Sequence, residues 1–209
     1  MLLPFFIGVL FTVYIIMIFF NPFFEGTWEE TTILFYFHVP MAWIGAFAFL
    51  GAALFAILYL KQRKYYWDYW MSASAELGFL FTILATITGA IWARMEWSGG
   101  LFWNWDPKQI GIVILLLIYI AFFTIRSNIR NGELKSRLSA VYAILAFAMT
   151  PFLLIIIPRI QSKLHPKDKA FSMSPEITLI FIFGLVLFTV LYVYLLWLRI
   201  RVHHLHSKN

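Results

Sequence analysis

The 209-residue sequence contains no cysteine and few charged residues. Without cysteine the chain has no disulfide, no thiolate metal ligand and no zinc–thiolate site. It also has no G-x-x-x-x-G-K-[ST] segment, so it does not bind ATP through a P-loop, and any ATP-driven step belongs to a partner. Only 12% of its residues are charged, 62% are hydrophobic, and the mean hydropathy is +0.83. Because soluble domains are only about half apolar, this composition predicts an integral membrane protein.

Six apolar runs are long enough to cross a bilayer, since a spanning helix needs about 20 residues at a rise of ~1.5 Å each. They cover residues 2–20, 39–60, 71–93, 108–125, 138–157 and 177–198. The first run has no basic segment before it and no small-residue cleavage site after it, so we expect a membrane span rather than a signal peptide. No hydrophilic domain or repeat interrupts the runs. The sequence therefore predicts an all-α fold in which 1–209 form a single bundle of six transmembrane helices.

The orientation is predicted from the lysines and arginines of the short loops, which are enriched on the cytoplasmic side. Ten lie on one side: Lys61, Arg63, Lys64, Arg126, Arg130, Lys135, Arg137, Arg199, Arg201 and Lys208. Six lie on the other, where most acidic residues are also found: Arg94, Lys108, Arg159, Lys163, Lys167 and Lys169. We expect the first side, with both termini, to be cytoplasmic, and loops 21–38, 94–107 and 158–176 to be outside. The net charge of +6 is thus a topology signal and does not indicate nucleic-acid binding.

Two features of the cytoplasmic side have simple interpretations. Glu76 is an acidic residue about one turn inside the third run. Intramembrane carboxylates are functional candidates, but this one lies near a basic boundary, where an interfacial ion pair is the alternative that we favour. The histidines of "RVHHLHSKN", at 203, 204 and 206, are expected to form a solvated basic tail.

Two further histidines are candidate ligands. His38, in "FYFHVPMAW", is expected to open the second span, with Pro40 in the first helical turn. His165 follows the fifth span in "PRIQSKLHPKDKA". Under the predicted topology both lie at the outer face. Either one alone is equally explained as an interfacial histidine that makes an ordinary hydrogen bond.

The loop "WSGGLFWNWDPK" belongs to the same outer face. An interfacial aromatic belt is the simpler explanation of its tryptophans. However, Trp103 and Trp105 are two residues apart, which in extended backbone places both rings on one side, and the Gly99–Gly100 pair leaves room for a flat group to approach. Asp106 and Pro107 are typical of the N-cap and first position of a helix, so Asp106 is also explained by a purely structural role.

A broad aromatic surface between two histidines is what a haem site requires. A porphyrin supplies four equatorial nitrogens to its iron, which leaves two axial positions for imidazoles, and the macrocycle needs an apolar wall. Basic residues of the same face could pair with the propionates. These are Arg94, Lys108, Arg159 and Lys163. The candidate metal ligands are therefore His38 and His165.

The segment "GLFWNWDPKQ" also resembles the tryptophan-rich motif W-G-x-x-W-x-W-D of a family of haem-handling proteins that includes CcmC, CcsA and CcmF. The matching positions are Gly100, Trp103, Trp105 and Asp106. Gly99 stands where the motif has its first tryptophan, and Trp97 lies two residues earlier. The similarity extends to "FHVPMAW" and "TGAIWARMEW", and the length and six-span layout most resemble the CcmC branch.

This resemblance implies haem delivery rather than bond-making chemistry, so we do not expect an enzyme. In the family, haem b (iron protoporphyrin IX) is presented at the periplasmic face of the bacterial inner membrane to the chaperone CcmE for cytochrome c maturation. Partners would be an ABC-type complex of CcmA and CcmB with the small CcmD. The resemblance assigns the axial ligands to His38 and His165 and haem contact to the tryptophan loop. A CcsA-like haem ligase component and a haem-transporting channel subunit are the alternatives.

Overall fold

The computed structural model describes residues 2–20, 31–97, 100–161, 164 and 174–206, without the side chains of 31, 32 and 204–206. In this part of the chain six helices are long and apolar enough to cross a membrane. They are α1 (Leu2–Phe19), α2 (Thr31–Gln62), α3 (Tyr65–Glu96), α4 (Pro107–Asn128), α5 (Gly132–Gln161) and α6 (Pro175–His206). The predicted all-α, six-helix membrane fold is confirmed.

Five of the six helices are longer than their apolar runs, and the prediction for the start of the second span is wrong. His38 does not lie in a loop and does not open a helix, because α2 begins at Thr31, two turns earlier. Pro40 accordingly lies inside the helix rather than in its first turn. The reason is that hydropathy falls at polar residues, whereas helical backbone hydrogen bonding continues through the membrane interface into aromatic and polar segments.

The interior proline of α2 is accommodated by a tyrosine of α1. Proline has no N–H, so Pro40 leaves the carbonyl of Tyr36, four residues earlier, without its helical donor. The hydroxyl of Tyr14 donates a hydrogen bond to this carbonyl over 2.7 Å, and Tyr14 is completely buried. Gly184 on α6 makes room for the Tyr14 hydroxyl, since any Cβ there would meet it. One hydrogen bond thus joins α1 to α2 two residues from His38.

Helices α2 and α3 form a long antiparallel hairpin at the centre, joined by Arg63 and Lys64. On one side a buried cluster joins this hairpin to α4 and α5, and the rings of Phe49 and Tyr119 stack there with centroids 3.6 Å apart. On the other side a second cluster joins it to α1 and α6. Small residues allow neighbouring membrane helices to approach each other closely. At Gly78, for example, a Cβ would lie 2.6 Å from the Phe49 ring.

Among the described residues, two ion pairs between helices lie toward the end of the bundle that carries the α2–α3 and α4–α5 links, here called the basic end. Arg126 forms a bidentate pair with the buried carboxylate of Asp68, with N–O distances of 2.7 and 3.0 Å. The Nε of Arg199 lies 2.9 Å from a Glu76 oxygen, which confirms the ion pair predicted for Glu76. The expectation of a solvated histidine tail is wrong for His203, because α6 continues to His206 and the His203 ring packs 3.7 Å from that of Tyr69, centroid to centroid.

Helix α5 changes its winding near the opposite end, here called the aromatic end. A π-helical turn, Phe152–Ile156, follows Pro151, and the N–H of Ile157 donates to the carbonyl of Phe152. The carbonyl of Leu153 then approaches Gly111 so closely that any Cβ would collide with it. This contact places the first turns of α4, which follow the tryptophan loop, against the last turns of α5.

Candidate functional site

His38 lies on α2 and faces α3. Its Nδ1 is 2.8 Å from the backbone carbonyl of Ala85 and 3.3 Å from the Thr88 hydroxyl. A carbonyl oxygen only accepts hydrogen bonds, so the proton of the neutral imidazole is on Nδ1 and the lone pair is on Nε2. No described residue is a hydrogen-bond partner of Nε2. Metal-bound histidines are commonly held in this way, with one nitrogen hydrogen-bonded to a carbonyl and the other left for the metal.

Two further residues of α3 border the His38 ring. At Gly89 a Cβ would lie 2.6 Å from Cε1 and 3.0 Å from Nδ1, so the ring occupies the space that a side chain would fill. Trp92 meets the ring edge to face, with the centroids 5.7 Å apart. The indole N–H of Trp92 is buried and has no hydrogen-bond partner among the described residues. The surroundings of His38 therefore hold an unused hydrogen-bond donor.

The loop between α3 and α4 presents large apolar side chains to the exterior. Trp105 is 73% exposed, and Leu101 and Phe102 are also exposed. Trp105 has a φ of +55°, a left-handed conformation that is uncommon for any residue with a side chain. The Trp103 and Trp105 rings are neighbours, with centroids 6.2 Å apart, but their planes are nearly perpendicular at 89°. The prediction of extended backbone through this pair is therefore wrong at Trp105, and the rings do not form one flat wall.

A capping box ends the loop and starts α4. The Asp106 carboxylate accepts a hydrogen bond from the Lys108 N–H over 2.9 Å, and Pro107 follows it, which confirms the predicted N-cap. The side-chain oxygen of Gln109 accepts in return from the N–H of Asn104 over 2.8 Å and of Asp106 over 3.3 Å. Asp106 and Gln109 are both buried. Gln109 thus holds the two backbone positions on either side of Trp105.

His38 and the tryptophan loop lie at the same end of the bundle. Trp92, the aromatic neighbour of His38, is four residues before the end of α3 at Glu96, about 6 Å along the axis. The guanidinium of Arg94 lies 4.5 Å from the centre of the Phe102 ring, which ties the loop back to α3. Lys108 lies in the first turn of α4, directly after the loop. The structure thus brings His38, the loop and two cations together.

The predicted site residues have different outcomes. His38, Gly100, Trp103, Trp105 and Asp106 share the aromatic end. His165 and Lys163 lie outside the described residues, and Arg159 is exposed in the last turn of α5. Gly100 has a φ of +60°, which favours glycine, and has open space around it. It therefore provides a backbone turn and leaves the surface clear, as expected of a glycine in such a loop.

Sequence reasoning missed the residues that support this set. Gly89, Trp92 and the Ala85 carbonyl surround His38 from α3, and their contact with α2 spans about 50 residues of sequence. The role of Gln109 had a visible signal, because D-x-x-Q at a helix start is typical of a capping box.

These residues fit one face of a haem. His38 supplies an imidazole nitrogen with a free lone pair, the loop supplies apolar surface, and Trp92 supplies an unused N–H donor. In the described part of the chain no three His, Cys, Asp or Glu side chains converge on a site for a metal ion. A haem requires no such group, because its porphyrin already provides four of the six iron ligands.

Comparison with known proteins points to one family. The sequence model of the family described as Heme exporter protein C, CcmC, matches residues 2–209. Heme exporter protein C of Bradyrhizobium diazoefficiens is 28% identical over 123 residues, 59% of this chain and 46% of that protein. Its namesake in Rhodobacter capsulatus is 28% identical over 123 residues, 59% of this chain and 50% of that protein. The cytochrome c biogenesis protein CcsA of Fagopyrum esculentum subsp. ancestrale is 37% identical over 99 residues, 46% of this chain and 30% of that protein.

The fold and site define a multi-pass membrane protein with a tryptophan-rich loop at one end of a six-helix bundle. Within that class, the chain belongs to the Heme exporter protein C family, since the family match covers nearly its whole length. The resemblance seen in the motif around Trp105 is thereby confirmed. The matches to the named relatives cover half of each relative's length or less.

Proposed function

We propose that this protein binds haem at the aromatic end and delivers it to the haem chaperone CcmE during cytochrome c maturation. The observation that carries the proposal is the state of His38. Its Nδ1 is engaged by the Ala85 carbonyl and its Nε2 has no described partner, at the end of the bundle where the loop exposes Trp105 and Phe102. An imidazole prepared for a metal, at the same end as exposed aromatic surface, suits an iron porphyrin.

Each residue has a distinct role in this proposal. His38 provides one axial ligand through Nε2, and His165 provides the other. Trp103 and Trp105 give the apolar contact for haem b, iron protoporphyrin IX, and for the chaperone. Gly100 and Asp106 shape the loop, and the left-handed backbone at Trp105 supports a functional role, because strained residues cluster at such sites.

The orientation and the partners follow from the same proposal. The aromatic end faces the periplasm from the bacterial inner membrane, with both termini cytoplasmic. The six-helix chain has no P-loop, so ATP is used by an associated complex of CcmA and CcmB with CcmD. The protein itself holds and hands over haem and catalyses no bond-making reaction.

A second candidate is a component of a CcsA-like haem ligase, which would attach haem rather than deliver it. The 37% identity to the Fagopyrum CcsA over 99 residues favours it. The two functions differ in product: delivery yields haem-loaded chaperone, whereas ligation yields cytochrome c without passing through the chaperone.

The proposal is tested by the absorption spectrum of the purified protein together with the amount of haem-loaded CcmE in cells. His38→Ala should shift the spectrum and lower haem retention, because one axial position becomes open or water-filled. The Trp103→Ala/Trp105→Ala double variant should keep a histidine-ligated spectrum, bind haem more loosely and load the chaperone poorly. Burying an aromatic side chain contributes about 2–3 kcal/mol, but the axial bonds remain.

The matched control replaces His204 and His206 with alanine, which should leave spectrum and loading unchanged. A wild-type spectrum in His38→Ala would reject the ligand. Normal chaperone loading by the double tryptophan variant would reduce the loop to an interfacial belt. Cytochrome c maturation that proceeds without CcmE would favour the ligase.

A further inference from the structure

We propose that Gly89 is a positioning residue for His38. The missing side chain at 89 lets the imidazole reach the Ala85 carbonyl, and this contact fixes the proton on Nδ1 and keeps Nε2 for iron. The link to iron rests on the proposed haem site. The positioning itself is a property of the protein without haem and is tested separately.

The argument begins with the space between α2 and α3. A Cβ at Gly89 would lie 2.6 Å from Cε1, 3.0 Å from Nδ1 and 3.5 Å from Nε2 of His38. Cε1 joins the two nitrogens, so a methyl group at this point has to displace both. Since the Nδ1–carbonyl distance is only 2.8 Å, a shift of several tenths of an ångström already weakens that hydrogen bond.

The ring has little freedom to avoid such a methyl group. Trp92 lies edge to face with the imidazole, about one turn after Gly89 on α3. Ala85, one turn before Gly89, and Thr88, the residue before it, both contact Nδ1. Groups that contact the imidazole therefore lie both before and after Gly89 along α3, so the ring cannot move away from a methyl group without losing one of these contacts. Among the described glycines, Gly89 is the one at which a Cβ would meet the His38 ring.

The test is the substitution Gly89→Ala, with Gly8→Ala on α1 as the matched control. In the described part of the chain, apart from the neighbouring residues and backbone of α1 itself, no atom lies within 4 Å of a Cβ built at Gly8. The control therefore adds the same methyl group to a helix without creating a contact like that at Gly89. In haem-free protein labelled with ¹⁵N-histidine, the two His38 nitrogens are assigned by loss of their signals in His38→Ala. Wild type and Gly8→Ala should show one tautomer, with the proton on Nδ1. Gly89→Ala should show a mixture or the other tautomer.

Haem binding provides the second measurement. Gly89→Ala should weaken haem affinity by roughly 10–100-fold, the range seen when the partner that orients a metal ligand is lost, and should alter the spectrum of the bound haem. Unchanged tautomer signals in Gly89→Ala would overturn the positioning role. An altered tautomer with wild-type haem affinity would overturn the link between this positioning and iron binding. If wild type shows the Nδ1 tautomer but binds no haem, the proposed function fails and the positioning role stands.

Gly89→Ala could also fail to fold, and a thermal-unfolding cycle covers that outcome. In His38→Ala the imidazole is absent, so adding Gly89→Ala should leave Tm unchanged or slightly higher, as alanine is favoured over glycine in a helix. A large loss of Tm in the double variant relative to His38→Ala would show that Gly89 is needed for another contact, which would overturn the proposal.

Discussion

At the scale of single residues, the hydroxyl of Tyr14 has the clearest structural role. It donates to the Tyr36 carbonyl that Pro40 leaves without a helical donor, in a fully buried position. A buried carbonyl without a partner costs about 1–3 kcal/mol. Because this carbonyl is two residues from His38, its hydrogen bond stabilises the turn of α2 that carries the candidate ligand.

We therefore expect Tyr14→Phe to destabilise the protein by about 1–3 kcal/mol, measured as a lower Tm in detergent. Pro40→Ala supplies the matched background, since alanine restores the N–H that the Tyr36 carbonyl lacks. In the Pro40→Ala background, Tyr14→Phe should lower the free energy of unfolding by clearly less. An equal loss of stability in both backgrounds would contradict the assigned role of the hydroxyl.

At the same scale, the sequence predicted residues whose role depends on their neighbours in the chain. It did not predict residues whose role is a contact between helices. Asp106 was recognisable as an N-cap because the cap, the proline and the helix follow one another in the chain. Gly89 was not recognisable, because its contact with His38 depends on how α2 packs against α3. In an apolar helix, the sequence around a glycine is the same whether the glycine faces open space or packs against a ring of another helix.

At the scale of elements, Gln109 holds the link from the loop to α4 together with Asp106. Gln109 accepts hydrogen bonds from the N–H groups of Asn104 and Asp106. Gln109→Ala should lower helix stability by about 1 kcal/mol and reduce chaperone loading, since the backbone around Trp105 loses its acceptor. Gln109→Glu, which retains an acceptor, should be close to wild type in both measurements. Normal chaperone loading by Gln109→Ala would show that haem delivery does not depend on the capping box.

The number and kind of elements were predictable, but their ends were not. Apolar runs marked all six helices, because a bilayer-spanning helix must be apolar over its middle. The start of α2 at Thr31 was missed, since aromatic and polar residues at an interface favour helix and loop alike. The π-helical turn Phe152–Ile156 was missed as well, because the packing of its Leu153 carbonyl against Gly111 is a contact between helices that the local sequence does not show.

At the scale of the whole molecule, the side of the membrane on which the aromatic end lies decides the proposed function. The chain has no cysteine, so a single introduced thiol has no background. Leu101→Cys, at an exposed position of the tryptophan loop, should react with a membrane-impermeant thiol reagent in intact cells. Lys61→Cys, exposed near the basic end, should react only after lysis. The reverse pattern would place the loop in the cytoplasm and exclude delivery to a periplasmic chaperone.

The ion pair between Asp68 and Arg126 also sets an order of events during synthesis. The two residues are 58 positions apart, so at 5–20 residues per second Arg126 leaves the ribosome roughly 3–12 s after Asp68. During that interval the Asp68 carboxylate has no guanidinium, and a lone charge inside the bilayer is costly. We therefore expect the first turn of α3 to remain at the aqueous boundary until Arg126 has been made and can pair with it.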